Sequence, residues 1–126
     1  MKTYFALGLA LCTLVAAPAI ARDRYVGTYD GDCGFNGCTL DIDNVKGKKA
    51  WKLSLDVHLG TMPSSRDCSV TGTATQARPG VLVGTIGDSP IEIRMVEGHD
   101  MIVSRTSGTF CGKSVRLDGT WSILGD

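Results

Sequence analysis

The stretch Ala50-Trp51-Lys52-Leu53-Ser54-Leu55-Asp56-Val57 decides the fold class. Trp51, Leu53, Leu55 and Val57 alternate with Lys52, Ser54 and Asp56. A period of two places the first set on one face of an extended strand and the second on the other. Such a strand has one apolar face and must find others like it. Ser114 to Ile123 supplies one, with Val115, Leu117, Trp121 and Ile123 on the apolar side and Gly119 marking a bend or bulge within it. Cys38 to Asp43 sets Leu40 and Ile42 against Asp41 and Asp43, and Ile91 to Met95 sets Ile91, Ile93 and Met95 against Glu92 and Arg94.

Tyr25 to Tyr29, Ser69 to Thr75, Val81 to Ile86 and Met101 to Arg105 are less regular candidates of the same kind. Turn chemistry separates them: Asn44 to Lys49 around Gly47, Arg78-Pro79-Gly80, Gly87-Asp88-Ser89-Pro90 and Glu97-Gly98-His99-Asp100. No stretch of useful length has apolar residues at helical spacing. The reading is all-β: about eight short antiparallel strands in a meander, closed into a disulfide-stabilised barrel because closure removes exposed sheet edges. A sandwich is the alternative.

The first 21 residues read as an export signal rather than structure. Met1 and Lys2 open it, an apolar run from Tyr4 to Ala17 follows, and Ala19 and Ala21 form the A-x-A pattern before cleavage after Ala21. The run is shorter than the roughly 20 residues that span a bilayer, so no membrane insertion is expected. Cys12 follows Leu11 deep in the apolar run, without the small preceding residue that lipidation requires. One domain remains, residues 22–126. It carries 12 basic and 13 acidic residues, which leaves no excess of positive charge for pairing with nucleic-acid phosphates. With 43% hydrophobic residues in the whole chain, the composition is not that of a disordered tail.

Cys33, Cys38, Cys68 and Cys111 remain after cleavage, and an even number in an exported chain points to two disulfides. Three pairings are open. We favour Cys33 with Cys38, clamping a glycine-rich loop, and Cys68 with Cys111, tying the middle of the chain to its end for about 3–4 kcal/mol.

Catalytic chemistry finds little purchase. His58 and His99 sit alone at strand ends or turns, and surface roles outweigh metal or acid–base work. Asp30, Asp32, Asp41 and Asp43 lack the rest of a calcium loop, so no metal and no cofactor are expected. Ser107 has no recognisable base or oxyanion loop, and enzymatic activity is not expected.

The informative stretch is Ser104-Arg105-Thr106-Ser107-Gly108-Thr109-Phe110-Cys111-Gly112-Lys113. Hydroxyls, cations and glycines leave a strand together there, and rigidity before binding lowers the cost of ordering on contact. This pattern resembles the C-type lysozyme inhibitors in their periplasmic form, exported bacterial β-barrels with a Ser-Gly-rich loop ending in an aromatic. Ser104 to Phe110 is similar to that loop, and Tyr29 with Cys33 is comparable to the family's opening Tyr and Cys. Three residues separate Tyr29 from Cys33 where the family has one. Thr109 replaces the usual basic residue, Phe110 replaces tyrosine, and Cys38 and Cys68 are additional.

The resemblance implies a periplasmic inhibitor of host C-type lysozyme. Ser104, Arg105, Ser107, Gly108 and Lys113 would enter the enzyme's carboxylate-lined groove, with a serine donating hydrogen bonds and a cation pairing. A second reading is a barrel with a small-ligand pocket inside, lined by Trp51 and Trp121. A third is a purely structural envelope protein. An exposed apolar strip would also serve a homodimer, though the sequence identifies none.

Overall fold

Main-chain pairing follows the alternation. The computed structural model describes residues 23–33, 37–58, 67–96, 100–107, 110 and 115–125. Eight antiparallel strands run in chain order: β1 (Gly27–Gly31), β2 (Cys38–Asn44), β3 (Ala50–His58), β4 (Asp67–Arg78), β5 (Val81–Ile86), β6 (Ser89–Met95), β7 (Met101–Ser104) and β8 (Gly119–Ile123). Each pairs with the next, and β8 returns to β1 to close the barrel. Closure, and not a sandwich, is therefore the architecture. β3 is paired along its length, Trp51 facing Asn44 and Ala74, and Val57 facing Cys38 and Cys68.

The inner face is a single packed cluster in which Leu40, Ile42, Leu53, Leu55, Leu82 and Ile93 are fully buried. A barrel of about eight strands is just wide enough for side chains to fill it. Trp51 and Trp121 belong to this core. The outer face carries exposed Lys52, Thr73, Thr85 and Arg94. That polarity is the reverse of a barrel whose outer face meets lipid. Among the described residues, no helix is long and apolar enough to cross a membrane.

Cys33 and Cys38 are joined, bridging the β1–β2 connection with a Cα–Cα distance of 5.9 Å. Both are fully buried. Cys68 is also disulfide-bonded, and its partner lies outside the described residues, as do Cys111, His99 and the proposed signal.

Four expected strands have bounds that differ by more than one residue; one is β6, which starts at Ser89 and not at Ile91. Tyr25 lies before β1 and not in it. Its hydroxyl donates to Gln76 Oε1 at 2.6 Å and accepts from the Gly80 amide at 2.9 Å, while its carbonyl accepts from the Tyr29 hydroxyl at 2.9 Å. Those long-range bonds turn the segment across the barrel end. Asp23 completes this cap, accepting from the Tyr25 amide and from the Trp51 indole, both at 2.8 Å. β4 runs past Thr75 to Arg78 because a register shift between Gln76 and Arg78 absorbs an extra residue. Residues 115–118 are not strand: the Arg116 amide bonds the Cys33 carbonyl, and the Leu117 carbonyl takes the Trp121 indole proton. Val115 and Leu117 are buried all the same, so the alternation there reports burial without sheet pairing. Gly119, at φ 140°, makes the bend into β8.

The buried Tyr29 phenol is pushed above its ordinary value by desolvation, with a smaller contribution from the Asp23 charge. The folded chain thus holds this proton more tightly than the unfolded chain does. Its contribution to stability is complete below about pH 10, where the unfolded tyrosine titrates, and is lost as pH rises beyond it. Urea unfolding between pH 9 and pH 11.5 should show falling stability, and Tyr29→Phe should flatten that slope. An unchanged slope in the variant would assign the alkaline loss to other groups.

Candidate functional site

Antiparallel meander topology sends alternate connections to opposite barrel ends. The β1–β2 disulfide, the β5–β6 turn and the β7–β8 connection share one end, and the Asp23–Tyr25 cap lies at the other. The β7–β8 connection begins at Ser104, which pairs with Glu92 on β6. Arg105 then adopts a left-handed backbone, φ 65°, the one described non-glycine residue to do so. Here the chain leaves the β6–β7 ladder, whose last pair is Glu92 with Ser104. The Arg105 Nε lies 2.9 Å from Glu92 Oε1, yet the guanidinium side chain remains 74% exposed. A positive φ costs roughly 1–2 kcal/mol in a non-glycine residue, so the surrounding contacts hold this conformation in place.

The next residues are braced. Asp118 Oδ1 accepts from the Thr106 amide at 3.1 Å and from its hydroxyl at 2.5 Å. The Ser107 amide donates to Ser89 Oγ at 2.8 Å, and Ser89 is itself buried. The Ser107 side chain is exposed. A groove of about 300 Å³ opens beside the loop, with Phe110, Val115 and Leu117 as its apolar part and Thr106, Arg116 and Asp118 as its polar part. The Arg116 amide ties this wall to the buried disulfide through Cys33.

The structure therefore brings Ser104, Arg105 and Ser107 together on one short segment. Gly108 and Lys113 lie outside the described residues. Ser89, Arg116 and Asp118 were not singled out by sequence, and Thr106 only as part of the Ser104 to Lys113 stretch. Ser89 reads as a turn residue in Gly87-Asp88-Ser89-Pro90, and Arg116 and Asp118 read as the wet side of a long strand. The alternation that hid them is the one that buries Val115 and Leu117. Acids share this end with the loop: Glu92 and Asp118 contact it, Asp88 and Asp32 lie in the other connections here, and Asp30 and Asp56 lie toward this end of β1 and β3. Arg105 is thus an exposed cation within an acidic rim.

His58, at the end of β3, has Nε2 3.4 Å from Thr39 Oγ1. Among the described residues, no three His, Cys, Asp or Glu side chains converge as a metal ion would need. What the fold and site define is a disulfide-bonded, closed antiparallel barrel presenting a braced cationic loop. Compared with protein-family models, with curated proteins and with solved structures, the chain matches none.

Proposed function

We propose that this protein is an exported, periplasmic inhibitor of C-type lysozyme that blocks the catalytic groove with the 104–113 loop. The observation carrying this reading is the exposed Arg105 beside the exposed Ser107 on a segment fixed by Glu92, Asp118 and Ser89. A loop held in place before contact loses little conformational entropy on binding. Arg105 would pair with a catalytic carboxylate, Ser107 would donate to it, and Lys113 would supply a second cation. Acids around the loop would meet the basic surface of the enzyme and orient the approach. Two disulfide-bonded pairs suit an oxidising compartment, and residues 1–21 would direct export and be removed after Ala21.

Magnitudes require more than the loop tip. A charge-assisted contact contributes about 1.5–3 kcal/mol, whereas nanomolar binding needs about −12 kcal/mol. The groove beside the loop and the disulfide-tied wall would supply the rest of roughly 800 Å² per partner. The test is lysozyme digestion of bacterial cell walls with the purified protein added. Slowed lysis is expected. Arg105→Ala and Ser107→Ala should each weaken inhibition about tenfold or more, and Ser107→Ala should melt like the parent, because the brace at Ser107 uses its main-chain amide. Undiminished lysis at micromolar excess of inhibitor would remove the proposal; full inhibition by both variants would move the contact to another surface.

A further inference from the structure

Formal neutrality conceals a separation of charge along the barrel axis. The end closed by the Asp23–Tyr25 cap carries exposed Arg24 in the cap, Lys46, Lys48 and Lys49 in the β2–β3 turn, Arg78 at the end of β4 and Arg94 near the end of β6. Among the described residues, none of these six makes an ion pair. The described acids at that end are fewer, three against seven cations once the exposed Lys52 is counted. Asp23 is taken by Trp51 and Tyr25, and Asp43 stands directly across the ladder from Lys52. Asp100 is the remaining described one; Glu97 and His99, in the same connection, lie outside the described residues. The opposite end has the acidic rim, with Arg105 and Arg116 as its described cations. A neutral chain with this distribution is a dipole, and its ends see different partners.

The basic end is built as one platform. The Val45 amide bonds the Ala50 carbonyl and the Lys48 amide bonds the Val45 carbonyl, which fixes the lysine turn. The Gly80 amide bonds the Tyr25 hydroxyl, and the Met95 amide bonds the Gly80 carbonyl, which ties the cap, the β4–β5 turn and the end of β6 together. The Arg24 guanidinium lies against Gly80 and 6.0 Å from the Tyr25 ring. Leu124, which follows β8 at this end, is 48% exposed and is the one exposed large hydrophobic among the described residues.

We infer that the basic end is a docking face for an anionic lipid surface, independent of the inhibitor reading. Cations spread over several separate connections suit a planar field of headgroups. Flexible lysines with one apolar tip are the usual means of peripheral attachment. Nucleic acid is less well matched, since Tyr25 and Trp51 at this end are buried and offer no ring on which a base could stack. Docked this way, the barrel holds its acidic end and the Arg105 loop away from the bilayer.

The experiment is vesicle cosedimentation of the purified protein. Phosphatidylcholine vesicles with and without about 30% phosphatidylglycerol are compared at about 20 mM and about 0.5 M salt, where screening lengths differ several-fold. Binding is expected to the anionic vesicles alone and to vanish at high salt. Lys46→Glu/Lys48→Glu/Lys49→Glu should lower the partition constant by at least about tenfold, and Leu124→Ala by a smaller factor. Asp88→Lys, at the far end, should leave it within about twofold, because exposed charges beyond a screening length do not contribute.

Equal binding to neutral vesicles, no binding to anionic ones, or undiminished binding of the triple variant at parental melting temperature would overturn the inference. An increase with Asp88→Lys as large as the loss in the triple variant would also overturn it, by showing response to net charge alone. Retardation of a DNA duplex without vesicle binding would replace the lipid surface with a soluble polyanion.

Discussion

Replacing Gly72 by alanine should cost about 3 kcal/mol or more, enough to lower the melting temperature by roughly 12 °C or beyond in a domain of this size. Gly72 is on β4 and pairs with Ile86 of β5. Its Cβ would meet the Thr85 carbonyl oxygen far inside contact distance and stand 2.6 Å from the Ile86 Cα. Gly84 on β5 reciprocates: a Cβ there would be driven onto the Thr73 carbonyl, 2.6 Å from the Ala74 Cα. These obstacles are main chain within a hydrogen-bonded ladder. They cannot rotate aside as a side-chain end can. The two glycines mark a corner of close backbone approach between β4 and β5, a role that strand glycines often have. Gly47→Ala is the appropriate comparison. Gly47 has φ 75° and nothing within 4 Å of its Cβ position, so alanine there should cost only about 1–2 kcal/mol of backbone strain. Melting curves of the two variants decide the matter. If Gly72→Ala is no worse than Gly47→Ala, the corner is not a steric requirement.

Those corner glycines also mark where reading the sequence stops. Strand identity in this chain is legible because each strand has one apolar face and the faces share a single interior. Val81 to Ile86 coincides with β5, and Ala50 to Val57 falls one residue short of β3. Position-by-position alternation says which side a residue takes. It does not say what its main chain bonds to, which is why Val115 and Leu117 look like strand yet lie in an irregular segment tied to Cys33. Tyr25 carries the same lesson: its partners Gln76 and Gly80 are 51 and 55 residues distant, and only the closed topology brings them near.

At the candidate site, residue chemistry was legible in Ser104 to Phe110, and the braces were not. Asp118 lies 12 residues from Thr106 and Ser89 lies 18 from Ser107, so neither relation has a local signature. The charge separation was half visible. Lysines crowd the connection after β2, while Asp32, Asp88 and Asp118 occupy connections after β1, β5 and β7. A meander alternates its connections between ends, so the topology converts that odd–even pattern into opposite poles.

The seam between β8 and β1 should prove to be locked by side chains more than by its ladder. Tyr29 with Ile123 and Asp30 with Ser122 pair across it, and the Leu124 amide adds one bond to the Thr28 carbonyl, against nine residue pairs between β3 and β4. Trp121 is buried on the inner side of this seam, with its indole proton on the Leu117 carbonyl, and Gly31 leaves the space its ring occupies. A Cβ on Gly31 would lie 2.6 Å from Trp121 Cε2. Gly31→Ala should therefore cost about 2–3 kcal/mol by overpacking, and Trp121→Ala about 3–5 kcal/mol by lost burial and an unfilled cavity. Because the second change vacates the volume the first one invades, the double variant should be more stable than the sum of the two predicts, by at least about 1 kcal/mol. Urea unfolding of the four proteins measures this coupling. Hydrogen exchange in Trp121→Ala should also quicken selectively at amides of β1 and β8, since a ladder of two pairs has little with which to resist opening once the ring is gone. Strict additivity together with uniform exchange would mean that the ring fills space without holding the barrel shut, and the closure would then rest on the ladder and on the disulfide-tied wall at Cys33.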